Sequence, residues 1–120
     1  MINAMTVDVE DYFQVSAFEK LISRNDWDNI ESRVESNVDR ILELFDEKHI
    51  KATFFTLGWI AERHPAMIER IVSIGHELAS HGWEHKRVTK QDRESFREDI
   101  SRTRALLEDL SGQIVKGYRA

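Results

Sequence analysis

Short runs of β-branched and aromatic residues alternate with amphipathic stretches along the chain, and no other feature restricts its fold as much. "INAMTVDV" (2–9), "KATFFTLG" (51–58), "HELASH" (76–81) and "QIVKGYRA" (113–120) read as strands. Between the first two, residues 35–48 place Val38, Ile41, Leu42 and Phe45 at i, i+3, i+4 and i+7, the stripe of a helix with one buried face. Pro65, a favoured first-turn residue, predicts a second helix over 65–73, and Gly75 its end. A third runs from a Thr89 N-cap to a stop at Gly112, burying Phe96, Ile100, Leu106, Leu107 and Leu110. Residues 10–34 hold no clean period. They read as a loop passing into a short helix and then the polar loop "SRNDWDN". Strands alternating with helices over 120 residues predict one α/β domain of right-handed βαβ units around a parallel sheet.

In such sheets ligands collect at the carboxyl ends of the strands. The residues with chemical potential fall there: Asp8, Glu10 and Asp11 after strand one, His81 and His85 after strand three, Arg119 at the end of strand four. Three loops on one rim are therefore expected to converge. The absence of cysteine excludes disulfides, thiolate metal sites and cysteine nucleophiles. A net charge of -5 argues against nucleic acid as a partner, because nothing offsets repulsion from phosphates. The first residues lack a basic segment followed by an apolar one, and no apolar run is long enough to span a bilayer, so a cytoplasmic location is expected.

Within "ASHGWEH", His81 and His85 stand four apart, on one side of a helical turn if a turn follows strand three. With a carboxylate from strand one they complete a two-His-one-carboxylate set that leaves coordination positions open for water and substrate. The bland readings stand beside this one. A lone H-x-x-x-H pair also arises by chance on a solvated face, and an acid cluster such as "DVED" also serves as a cap.

"TVDVEDYFQV", "SHGWEH" and "GYRA", in that order, resemble the polysaccharide deacetylases of carbohydrate esterase family 4, the NodB-homology group. The run "ATFFTLGWIAERHPAMIERIVSIGHELASHGWEH" (52–85) resembles that family nearly without gaps, and the likeness extends over residues 4–120. "DVEDYFQV" is similar to a subgroup associated with exopolysaccharide and exosortase systems. The resemblance implies the N-terminal half of a distorted (β/α) barrel. It implies metal-dependent removal of acetyl groups from an N-acetylated polysaccharide or oligosaccharide. By it, His81 and His85 are metal ligands, Asp8 is the general base and Arg119 orients that base. The divalent ion is expected to be Zn²⁺, with Co²⁺ second. The family's second acid, a ligand, ordinarily adjoins the first. Here strand alternation favours Glu10 and a turn after Val9 favours Asp11, and Asp11 is the expected ligand.

The family's domain is roughly twice this length, and its later motifs, which carry the acetyl pocket and a general-acid histidine, have no counterpart here. One truncated domain over 1–120 is expected, with little turnover alone and an unpaired edge that invites self-association. His49, His64 and His76 read as structural or surface residues. Two rival readings remain: a non-catalytic metal- or glycan-binding remnant, and an H-x-x-E-H zinc peptidase with Glu84 as base. The second needs both histidines inside a long helix, which Gly82 disfavours by about 1 kcal/mol relative to Ala.

Overall fold

A computed structural model describes residues 1–120. β1 (Thr6–Val9), β2 (Thr53–Thr56) and β3 (Glu77–Ser80) form a parallel sheet in the order β1-β2-β3. Thr6, Thr53 and Glu77 lie level across it, as do Val9, Thr56 and Ser80. Each strand thus pairs with the next in sequence, the winding of a barrel wall rather than of a doubly wound sheet.

Helices return the chain between strands: α1 (Val34–Glu47) before β2, α2 (Gly58–Arg63) and α3 (Pro65–Ser73) before β3, and α4 (Arg93–Ser111) after it. Val38, Leu42 and Phe45 of α1, Met67, Ile68 and Ile71 of α3 and Leu107 of α4 join Val9, Phe54 and Leu78 of the strands in one apolar core. Truncating a core residue such as Phe54, which has no exposed surface, costs about 3–5 kcal/mol. The opposite sheet face carries Asp8, Phe55 and Ala79. Over it lie the Arg119 guanidinium, 4.1 Å from the Phe55 ring, and Gly117, with no room to spare above Ala79.

Three expectations are corrected. α4 starts at Arg93, capped by Asp92, whose carboxylate accepts from Ser95 N–H at 2.8 Å; Thr89 lies in a separate 3₁₀ turn, Val88–Lys90. The final segment is not a full strand. It makes one parallel bridge, Tyr118 to Ser80, with Ser80 N–H donating to Gly117 C=O and Arg119 N–H to Ser80 C=O, both at 2.9 Å. "SRNDWDN" is not an open loop but a 3₁₀ helix (Arg24–Asn29) that buries Trp27 edge-on to Trp59, with Phe13 tilted against it. Gly112 ends α4 as expected, at φ +67°.

Candidate metal centre

β1 ends at Val9, and the next side chains along the pleat diverge. Glu10 points to the histidines and Asp11 does not. Asp11 is 2% exposed, and one of its oxygens accepts from Ser32 Oγ–H (2.6 Å), Arg33 N–H (2.9 Å) and Val34 N–H (3.2 Å). No side chain at the start of α1 caps that helix, and Asp11 supplies the missing acceptor from a distant loop. The preference for Asp11 at the His pair is thereby corrected: its carboxylate is committed to the N-terminus of α1.

Glu10 takes that place. Its Oε2 lies 3.2 Å from His85 Nε2 and 3.7 Å from His81 Nε2. The three candidate ligand atoms fall within 4.8 Å of one another. Glu10 Oε2 and His81 Nε2 are both buried with no hydrogen-bond partner. Buried polar atoms left unpaired are costly, and two facing each other across a gap of this size suit a cation. Two imidazole nitrogens and one carboxylate oxygen are the donor set of a site that keeps coordination positions free. The residues present therefore fit a divalent metal.

His81 is oriented from behind. Its Nδ1 lies 2.9 Å from the Arg119 carbonyl, which can only accept, so Nδ1 carries the proton and Nε2 presents its lone pair. Burial opposes charge on His81, but the Glu10 carboxylate, the Arg119 carbonyl and Asp8 outweigh it and raise its pKa.

The histidines do not meet through a helical turn. Residues 81–85 form a loop in which Gly82 and His85 take left-handed backbone angles, φ +78° and +56°. This reversal sets the two rings 5.0 Å apart and nearly perpendicular. The chain is pinned on three sides. Gly58 and Trp59 N–H, at the start of α2, donate to the Gly82 and Trp83 carbonyls at 2.9 Å. Trp83 N–H donates to the Asp99 carboxylate of α4 at 3.2 Å. The Arg24 guanidinium donates to the Glu84 and His85 carbonyls at 3.0 and 3.2 Å. A peptidase of the H-x-x-E-H kind needs a helix here, and there is none.

Asp8 stands beside this cluster. Its Oδ1 accepts from Arg119 Nη1 at 2.7 Å, while Nη2 donates to Thr6 Oγ1 at 3.1 Å. Arg119 thus touches Asp8 through its side chain and His81 through its carbonyl. A cleft of about 330 Å³ opens against His81 and His85, lined also by Ser16, Lys86, Val88 and Tyr118. The other histidines are spent elsewhere. His76 is buried between Phe45 and Phe54, His64 pairs with Glu35, and His49 turns the chain after α1 at φ +54°. Trp59 and Trp83 are packing residues, with Arg63 and Arg102 stacked on their rings. Sequence reasoning missed Arg24 and Asp99, since neither lies in a periodic or motif position.

Residues 25–120 match the family model described as polysaccharide deacetylase. The chain is 34% identical over 80 residues to a peptidoglycan-N-acetylglucosamine deacetylase of Bacillus cereus, covering 67% of this chain and 29% of that protein. It is 30% identical over 86 residues to a peptidoglycan deacetylase of Helicobacter pylori, covering 72% of this chain and 29% of the relative. A crystal structure from Mycobacterium smegmatis, assigned as a polysaccharide deacetylase, superposes with a TM-score of 0.79 at 31% identity over 98% of this chain and 42% of its own. The chain spans about three tenths of those two curated relatives, and its sheet and helices are the N-terminal part of their barrel fold.

Proposed function

The chain belongs to the polysaccharide deacetylase family, and from that premise we propose that it holds the metal-binding half of a site that hydrolyses acetamide groups on N-acetylated sugars. The observation that carries the proposal is the meeting of Glu10 Oε2, His81 Nε2 and His85 Nε2, two of them buried and unpartnered. These three residues would hold a divalent cation, Zn²⁺ or Co²⁺. When bound, that ion supplies a Lewis acid that polarises an amide carbonyl and acidifies nearby water.

The chain's own residues do the rest. Asp8 Oδ1 is held by Arg119, and Oδ2 remains to take a proton from the attacking water. Arg119 keeps that carboxylate aimed, and its carbonyl keeps His81 in the tautomer that offers Nε2. The cleft beside the pair lies at the lower end of the ~300–1,000 Å³ range of ligand pockets, enough for one sugar unit. We assign the proton that the leaving amine requires to none of His49, His64 and His76, which all serve packing or turns. The likeness at "DVEDYFQV" leads us to place exopolysaccharide ahead of peptidoglycan as the substrate class.

The test is acetate release from N-acetylated oligosaccharides with Zn²⁺ or Co²⁺ supplied, measured beside metal binding by calorimetry. The proposal expects one ion per chain, and expects Asp8→Asn to abolish any turnover while leaving that ion bound. A chain that binds no divalent ion would overturn it. Zinc bound without acetate release would support the non-catalytic reading, a metal-holding piece that needs the remainder of a barrel.

A further inference from the structure

We infer that Arg24 is a positioning residue for His85, an inference that rests on the metal reading of the Glu10–His81–His85 cluster. His85 brings its imidazole back toward His81 only because its backbone takes φ +56°, a region that residues with a Cβ populate sparingly. Such a conformation persists where its surroundings over-determine it. The carbonyls on either side of the His85 N–H, those of Glu84 and His85 itself, both accept from one side chain. Arg24 Nε donates to Glu84 C=O at 3.0 Å and Arg24 Nη2 to His85 C=O at 3.2 Å, across some sixty residues of sequence.

Two adjacent carbonyls ask for two parallel donors in a fixed fork. A guanidinium provides that, and an ammonium does not. The fork is itself fixed. Arg24 opens the 3₁₀ helix Arg24–Asn29, whose N-cap Ser23 accepts from Asn25 N–H and whose Trp27 is buried, with the guanidinium 5.7 Å from the Trp27 ring. The same part of the chain grips the segment beyond His85 a second time, where Glu19 pairs with Arg87 at 3.0 Å and with Lys90 at 3.9 Å. The stretch that lacks sequence periodicity therefore acts as a brace on the second histidine, and Arg24 is its point of contact.

The test is zinc affinity of the chelator-stripped chain, measured by calorimetry beside the thermal midpoint of the metal-free protein. Arg24→Ala is expected to weaken Zn²⁺ binding about 10- to 100-fold, the usual effect of removing a group that orients a ligand. Arg24→Lys, with one donor direction at a time, should fall between the two. Co²⁺ absorption bands should shift in both variants, reporting an altered ligand arrangement. Should Arg24→Ala fail to fold, the Lys variant carries the test alone. Wild-type zinc affinity and an unshifted Co²⁺ spectrum in a folded Arg24 variant would overturn the role of Arg24 while leaving the metal site standing. If the unaltered chain binds no zinc, both the site and the brace on it fall together.

Discussion

At the scale of single residues, two neighbouring acids have been given opposite work. Glu10 carries a buried oxygen without a partner; Asp11 carries one that accepts three hydrogen bonds. Their substitutions should therefore separate cleanly. Asp11→Ala removes a charged cap and strands two backbone N–H groups at the start of α1, so it should cost about 2–3 kcal/mol in urea unfolding. Its zinc affinity, measured on the folded fraction, should stay near that of the unaltered chain. Glu10→Gln removes the only carboxylate at the His pair and should weaken zinc binding at least about 10-fold. It should lower the stability of the metal-free chain less than Asp11→Ala does, because it strands no backbone N–H and gives up only the attraction between the Glu10 carboxylate and the two imidazoles. The reverse pattern in those two titrations would return Asp11 to the metal.

At the scale of elements, the site depends on how closely α2 approaches the histidine loop. A Cβ built on Gly58 would come within 2.8 Å of Trp83 Cζ3 and 3.0 Å of Cδ2, inside van der Waals contact with a ring that is 8% exposed. Ala in a helix is favoured over Gly by about 1 kcal/mol, whereas forcing a packed ring aside costs about 1–3 kcal/mol. The clash should win. Gly58→Ala is expected to lower stability in urea and, because Trp83 sits between the two histidines, to weaken zinc binding as well. Unchanged affinity with lowered stability would show that the loop moves independently of the His pair.

Elements were also where sequence and structure could be compared most directly. α1 and α3 were legible because a period of 3.6 records burial of one face, and β1 to β3 because short β-branched or apolar runs close on turns, whereas the last such run makes only one bridge. α2 was hidden, since "GWIAER" is too short to show a period before Pro65 intervenes. Of the two 3₁₀ pieces near residues 16–29, the first falls where a short helix was expected, and the second was hidden for another reason. It is held by Trp27 against Phe13 and Trp59 and by Arg24 on the carbonyls of Glu84 and His85, none of which has a local signature. The rim of Asp8, His81, His85 and Arg119 was legible because α/β winding places strand ends together. The choice between Glu10 and Asp11 was not, because it turns on whether Ser32, Arg33 and Val34 lie within reach of Asp11, a tertiary fact.

At the scale of the whole molecule, stability should answer to pH through one buried imidazole outside the metal cluster. His76 packs against Phe54 of β2 and Phe45 of α1, and its Nδ1 accepts from Ala52 N–H at 3.2 Å. Protonation would remove that acceptor and place a charge in the core. Burial, reinforced by Lys51 and opposed only by Asp46, holds its pKa below the ordinary 6.5. The unfolded chain therefore binds this proton more readily than the folded one. Its contribution is full above about pH 6.5 and is lost as pH falls from there toward the folded value, with a slope of at most about 1.4 kcal/mol per pH unit. His81 has the opposite shift and acts on the other side of 6.5, where the stability it lends when charged fades as pH rises. Glu35, held ionised first by Arg70, loses its contribution only as pH falls below about 4.5. Asp99 works against His76 at the acid end, since burial pushes its carboxyl up and stability there rises as pH falls, so the His76 contribution is read as the difference between the unaltered chain and a His76 variant. His76→Asn can still offer an oxygen to Ala52 N–H, at the expense of ring packing worth about 1–3 kcal/mol. In urea unfolding of the metal-free chain the Asn variant should be less stable than the unaltered chain at pH 7, and the gap between them should narrow from pH 7 to 6 and again to 5. Parallel curves would place the proton uptake on another group and leave His76 as a packing residue alone.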